Sequence, residues 1–482
     1  MKNQADKTLY NFKLITQNTI SLLIGRTVSG LFQLFVFAVI ARQLGVDKFG
    51  IFTLSLTIAG IFATVSDFGC SNLMIREVSR DKTKACKYFI NGTIVKIFFH
   101  FFLFCIFFLS IHYLSDANYN STILLACVSL IFAMFTNFYI SFFNASEKMH
   151  FTALLSTSQS ILVSIVCLSI IFTGFIEVNY IFYGHISANF MMLIVSLVLI
   201  FKVISPRVFS IDLKFAFKFV KDSIPFGIFI LGGMLYFQSD TIMLSIMKNQ
   251  AAVGIYQAPM RLILMLDIFP MLLSTAMYPT ISRTFTLSKN EAIIFATRSL
   301  KYLFLIGLPI SFGICFFSDR IILLIFGNSF IQSTQVLRIL SWIFPIRICC
   351  HILGTTLSAV NKQNQRALAT GLSALFNILL NLIFIPRYNY KGAAFASVIT
   401  CGFLALNYYL SIRKEFEIIQ LKCILVWPIV SVLMMTMMVY LMKDMNSYTA
   451  FTAGIFVYVC CLIIFGIINK KYFLGLKHLL SK

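Results

Sequence analysis

The sequence predicts an all-α polytopic membrane protein of about fourteen transmembrane helices. It reads as two six-helix bundles in parallel pseudo-repeat plus two C-terminal helices. Three observations predict this: composition, run length and the side-to-side alternation of basic residues. Of 482 residues, 59% are apolar and 12% charged, and mean hydropathy is +0.90. Soluble domains carry roughly a quarter charged residues, and 53 Phe residues exceed what a water-soluble core could hide. A transmembrane barrel would show short alternating segments. This chain shows long continuous apolar runs, each near the ~20 residues that cross a bilayer as helix.

In chain order the runs are approximately 14–40, 49–74, 88–114, 120–143, 153–174, 178–201, 220–247, 253–282, 299–317, 330–360, 367–386, 392–412, 421–442 and 447–469. The first exceeds signal-peptide length and lacks a small-residue cleavage site, so no cleaved leader is expected. The links are short and hold nearly all the polar content, leaving no soluble domain. Of 39 Lys and Arg residues, 27 fall in the N-terminus, C-terminus and alternate links, 7 in the opposite links, and 5 within spans. The positive-inside rule then expects both termini in the cytoplasm and an even number of spans. The net charge of +22 is a topology signal and a contact with anionic lipid. No motif supports nucleic-acid binding.

Weak internal matches keep chain order. Gly25 and Gly30 correspond to Gly227 and Gly232, Phe49-Gly50-Ile51-Phe52 to Val253-Gly254-Ile255-Tyr256, and Ala145, Lys148 and Ala153 to Ala359, Lys362 and Ala367. The expected organisation is a bundle over 1–212, a second over 213–414, and two extra helices with a cytoplasmic tail over 415–482. Six is even, so both bundles share one orientation, as in transporters built from parallel repeats.

A charged side chain at mid-bilayer costs about 2.5–3.5 kcal/mol on insertion scales. Such residues therefore mark wet cavities or internal pairs. Arg26 lies about 18 Å past Leu14 at 1.5 Å per residue, too deep to snorkel easily, and a cavity role is favoured over a structural pairing. Arg347 follows Pro345 by two residues; it faces a cavity or satisfies the carbonyl that proline leaves free. Arg261 lies between Pro259 and Pro270 and is expected in a cavity. Lys96 is close enough to the inner face to snorkel out.

Three acids also lie within spans: Asp240, Asp267 and Asp67. Beside an arginine a carboxylate stays ionised; alone, it can carry a proton. A direct Asp267–Arg261 pair is the bland alternative, but six residues along a helix separate them by roughly 120°. Cations outnumber acids, so a cavity that they line prefers anionic cargo. Other chemistry is poorly served. The six His residues lack ligand spacing, HExxH is absent, and the twelve Cys residues form no CxxC, so no metal or cofactor is expected. There is no GxxxxGK[ST] loop for an ATP-driven pump. Outer-link acids are scattered singly, unlike a glycosyltransferase site, so no enzyme activity is expected.

The run Arg42-Gln43-Leu44-Gly45 … Phe49-Gly50-Ile51-Phe52 resembles the opening of O-antigen (Wzx-type) flippases of the multidrug/oligosaccharidyl-lipid/polysaccharide exporter superfamily. So do Tyr236 … Asp240 … Leu244 with Val253-Gly254-Ile255-Tyr256 … Ala258 … Arg261-Leu262. A third stretch joins them: Asn361-Lys362-Gln363 … Asn377 … Asn381 … Ile385-Pro386-Arg387-Tyr388 … Gly392-Ala393-Ala394 … Ala396-Ser397. The likeness spans the chain and is specific for the superfamily, not for the cargo. It implies two bundles in a V around a partly cationic cavity. It also implies transfer of an undecaprenyl-pyrophosphate-linked oligosaccharide across the bacterial inner membrane, in company with a polysaccharide polymerase and a chain-length regulator.

Joining the residue reading to the resemblance, Arg26, Arg261, Arg347 and Lys96 are the expected substrate-binding cations. Asp240, Asp267 and Asp67 are the expected couplers of H+ or Na+, and Gly25, Gly30, Gly227, Gly232 and Gly233 the expected hinges. Two alternatives stay open. One is a drug or cation antiporter of the same superfamily, in which the acids rather than the arginines are indispensable. The other, from a different class, is a membrane glycan polymerase or glycosyltransferase.

Overall fold

The structure is a computed structural model that describes residues 2–114, 120–146, 148–204, 211–414, 421–442 and 446–466. Side chains are described from residue 25 onward, apart from Arg26, 110–114, Met149, 203–204, 228–229 and 421–425. The expected cytoplasmic tail, from residue 467 on, lies outside the described residues. Among the described residues there are helices and no strands. In chain order these are α1 (Lys2–Asp67), α2 (Cys70–Arg80), α3 (Ala85–Leu114), α4 (Asn120–Ala145), α5 (Met149–Phe172) and α6 (Val178–Ile204). There follow α7 (Leu213–Met247), α8 (Gln250–Leu266), α9 (Ile268–Leu287), α10 (Lys289–Phe316), α11 (Ser318–Ile325) and α12 (Ser333–Leu340). The last are α13 (Ile343–Ala359), α14 (Gln363–Tyr388), α15 (Tyr390–Arg413), α16 (Leu421–Leu441) and α17 (Ser447–Ile464).

Among the described residues, 11 helical stretches suffice by length and composition to cross a membrane, and Val426–Leu441 is a shorter apolar one. Two of the 11, Thr27–Asp67 and Gln363–Arg413, are 41 and 51 residues long, about twice what one crossing needs. The first is broken at Gly45, whose φ of 72° lies in the left-handed region that glycine enters without penalty. The second breaks at Asn389, φ 54°, a residue type that tolerates the same region. Among the described residues each of the fourteen expected apolar segments is thus found as helix, and the protein is an all-α polytopic membrane protein.

Three of those segments are divided where one continuous helix was expected. The second breaks at Phe68-Gly69, between α1 and α2. The eighth breaks at Asp267 and the tenth at Ser341-Trp342. The last two share a cause. Pro270 and Pro345 have no N–H to give the carbonyls of Leu266 and Ser341, four residues back. Both prolines therefore sit in the first turn of a new helix, α9 and α13, where no donor is needed.

The chain forms two compact units. The first comprises Met1–Met265, Leu323–Ser333 and Ala374–Ala393. Its core is aromatic: Phe138 and Phe143 pack with Leu73 and Met74, all essentially inaccessible, and Tyr88 stands edge-on to Phe215 and Phe219. Asp212 caps α7 by accepting from the Phe215 N–H at 2.9 Å, and it also receives Lys87 Nζ at 2.7 Å. The Lys87 hydrogen bond holds the Asp212 carboxyl below the usual carboxylate range. Arg42 donates to the carbonyls of Leu324 and Ile325, at the C-terminus of α11, where a cation complements the helix dipole. Helices α1 and α8 cross at two glycines. A Cβ on Gly50 would lie 1.9 Å from the Gln250 carbonyl oxygen, and one on Gly254 2.3 Å from that of Val46. These are the glycines of the two matched tetrapeptides.

The second unit comprises Leu266–Ile322, Thr334–Ser373 and Ala394–Lys482. Ile281, Ala292, Ala296 and Ala359 form a buried cluster joining α9, α10 and α13. Helices α16 and α17 pair closely at Gly454, where a Cβ would meet Val439 at 2.7 Å. They are tied to α10 by the Tyr458 hydroxyl, which donates to the Leu305 carbonyl at 2.8 Å.

Candidate functional site

A cavity of about 420 Å³ opens within the first unit. From α7 it takes Ile230, Gly233, Met234, Phe237, Gln238 and Thr241; from α8, Tyr256, Gln257, Met260, Arg261 and Leu264; from α1, Thr64. The α7 and α8 sets recur at three- and four-residue spacing, so one face of each helix lines the space.

Arg261 is the cation in this wall. Its guanidinium carbon stands 4.5 Å from the centroid of the Phe37 ring. Its Nε is buried without a hydrogen-bond partner, and no carboxylate lies within ion-pair distance, both among the described residues. A ring face attracts a guanidinium without neutralising it. The fork therefore keeps its charge and donors for whatever enters.

Immediately behind the wall lies Asp240, which is 4% exposed. Its Oδ2 accepts from the Tyr256 hydroxyl and its Oδ1 from Asn381 Nδ2, each at 2.6 Å. Asn381 Nδ2 also donates to Asn377 Oδ1 at 2.9 Å, and Ser239 Oγ donates to the same oxygen at 2.6 Å. The residues are spaced so that α14 offers Asn377 and Asn381 one turn apart, facing Asp240 on α7. The Asn381 Oδ1 is buried without a partner among the described residues, an oxygen next to a carboxylate that suits a small cation.

The other expected site residues lie elsewhere. Lys96 pairs with Asp67 in the first unit. It does not snorkel: it is fully buried, its Nζ 4.6 Å from the Phe138 ring centroid. The physical reason is that Asp67, at the end of α1, supplies the counter-charge inside, and Ser71 Oγ donates to the same carboxylate at 2.6 Å. In the second unit Arg347 lays both arms on Asp267, Nε to Oδ1 and Nη2 to Oδ2, each at 2.6 Å. His351 Nε2 lies 3.1 Å from both oxygens. Asp267 is thus paired with Arg347, and no Asp267–Arg261 ion pair is found among the described residues. The Arg26 side chain lies outside the described residues; its backbone is helical within α1.

Among the expected hinges, Gly233 lines the cavity, and added Cβ atoms on Gly232 and Gly233 would meet nothing within 4 Å. Gly25 and Gly227 are packed, against Thr157 and Phe68, and Gly30 lies within α1. Among the described residues no group of three or more His, Cys, Asp or Glu could hold a metal. Tyr256, Gln238 and His351 were missed as site residues. Tyr256 and the i, i+4 pair Asn377/Asn381 stand in the family-like stretches, a readable signal that points to no particular role.

Comparison with known proteins places this geometry in context. The family model described as polysaccharide biosynthesis protein matches residues 15–285, and the MatE model matches residues 225–383. The probable low-salt glycan biosynthesis flippase Agl15 of Haloferax volcanii is 28% identical over 237 residues, 47% of this chain and 49% of that protein. The match thus spans about half of that relative. The putative O-antigen transporter of Shigella flexneri is 23% identical over 407 residues, 79% of this chain and 93% of that protein. Among solved structures, the lipid II flippase MurJ in an inward closed conformation superposes with a TM-score of 0.78 at 17% identity, covering 93% of this chain and 98% of its own. An inward-facing multidrug resistance MATE family transporter of the MOP superfamily gives 0.67 at 15% identity, covering 81% and 95%. At such identities the two structures establish the fold.

Proposed function

This chain belongs to the polysaccharide biosynthesis protein family, within the multidrug/oligosaccharidyl-lipid/polysaccharide exporter superfamily, and we propose that it flips an undecaprenyl-pyrophosphate-linked oligosaccharide across a bacterial inner membrane. The cargo is a repeat unit of O-antigen or a similar surface polysaccharide, and the motion is alternating access of two halves with both termini cytoplasmic. The observation that carries this reading is Arg261, a guanidinium without a carboxylate partner among the described residues, at the wall of a cavity of about 420 Å³. A planar fork can hold two oxygens of a diphosphate at once and replace its hydration. The prenyl tail stays in lipid while the headgroup crosses. The names of the relatives, a flippase and an O-antigen transporter, support the same cargo class. Arg26, in the first apolar segment, is assigned to the same headgroup.

Asp240 is assigned the coupling cation, H+ or Na+. Its place directly behind the cavity wall and the MatE match over 225–383 support that assignment. The bound cation then biases the rocking, with α7 bending at Gly232 and Gly233. Polymerase and chain-length regulator are the expected partners downstream.

Replacing Arg261 with Gln in a host dependent on this chain tests the reading. Surface glycan is expected to disappear, lipid-linked repeat units to accumulate on the inner leaflet, and the membrane level of the protein to stay normal. Undiminished surface glycan in that variant overturns the proposal.

A further inference from the structure

Tyr256 belongs to two places. Its side chain lines the Arg261 cavity, and its hydroxyl donates to Asp240 Oδ2 at 2.6 Å. The residue is 1% exposed. Its neighbour Gln257 donates to Thr241, so two consecutive residues of α8 grip two consecutive residues of α7. A phenol has one proton to donate. An ionised carboxylate is the stronger acceptor, so while Asp240 is an anion that proton points away from the cavity. Cancelling the charge on Asp240 weakens this acceptor. The hydroxyl then becomes free to turn to an anion in the cavity, and Gln257–Thr241 still holds the helices together.

We propose that Tyr256 is a positioning residue that links the two sites, giving its hydroxyl to Asp240 when the coupling cation is absent and to the anionic headgroup when it is bound. The proposal rests on the reading of the cavity as a diphosphate site. Only hydrogen bonds are exchanged. Linkage requires the effect to be reciprocal: the cation tightens the headgroup by the same factor as the headgroup tightens the cation. The arrangement explains why a cation site and a cargo site lie on either side of one side chain.

The test uses the full chain in lipid nanodiscs and undecaprenyl diphosphate without sugar as the probe. Binding is titrated for the wild type, Asp240→Asn, Tyr256→Phe and the double variant, with Arg261→Gln as control. Asp240→Asn, which cancels the charge, is expected to bind the probe roughly tenfold more tightly, the worth of one hydrogen bond to an anion. When Asp240→Asn is added to Tyr256→Phe, the gain is expected to fall below about threefold. A gain of equal size with and without the hydroxyl, or none in either case, overturns the link, because simple charge removal would not need the hydroxyl. Where Asp240→Asn does not fold, Asp240→Ser removes the same charge and takes its place. Wild-type protein that fails to bind the probe in an Arg261-dependent way overturns the functional reading and the link together; Arg261-dependent binding with equal gains overturns the link alone.

Discussion

Arg261 and Arg347 are two guanidiniums in apolar helices, held in opposite ways. Arg347 is forked onto Asp267 with His351 at the same carboxylate. Arg261 lies on the Phe37 ring at a cavity wall, with no carboxylate partner among the described residues. The first is cancelled where it stands; its worth is to the local packing of α9 and α13. The second keeps its charge facing an open space. Removing charge from water is expensive, and a close carboxylate recovers much of that cost. Arg261 has no such recovery within the described residues. Lys96, fully buried on Asp67, sides with Arg347.

The comparison can be broken or sharpened by substitution. The largest effect is expected at Arg347. Arg347→Gln leaves the Asp267 carboxylate buried without its main counter-charge, a loss of about 3–5 kcal/mol, read as a fall in the midpoint of thermal unfolding in detergent. Replacing the pair together, Arg347→Met with Asp267→Leu, is expected to recover most of that stability and surface glycan with it. A stable double variant that exports nothing would move Arg347 to the Arg261 side of the comparison. Lys96→Met comes next. Asp67 retains Ser71 and a side chain 15% exposed, so the expected loss is smaller, about 1.5–3 kcal/mol, by the same measurement; an unchanged midpoint would show that the pair contributes nothing. The smallest effect is at Phe37. Phe37→Leu removes the ring under Arg261, worth about 0.5–2 kcal/mol. A double-mutant cycle with Arg261→Gln isolates that share, and perfect additivity would show that the ring does not hold the guanidinium.

Much of the fold was legible before any coordinates. Apolar run length marked the fourteen helical segments found among the described residues, and the glycines at 45, 50 and 254 stood in the motifs that carried the family resemblance. The divisions of three segments were not read, although Pro270 and Pro345 signal two of them through the N–H that proline lacks. At the site, every charged residue was noticed because a charge in an apolar run is conspicuous. Grouping them was another matter. Cations were assigned to cargo and acids to ions, whereas the fold brings Lys96 to Asp67 and Arg347 to Asp267. Tyr256 stood in a family-like motif, but nothing local to it tells that its hydroxyl meets Asp240 on another helix.

Hydrophobicity along the chain is a local property, and crossing a bilayer demands only that each stretch satisfy its own backbone bonds as helix. The apolar segments, composition and the family motifs were therefore settled by the order of residues alone. Which side chains meet depends on how helices pack and turn about their axes. Asp267 and Arg347 are 80 residues apart, and Asp240 and Asn381 are 141 apart. Whether a buried charge is cancelled or left open to a cavity was decided only when those distant helices came together.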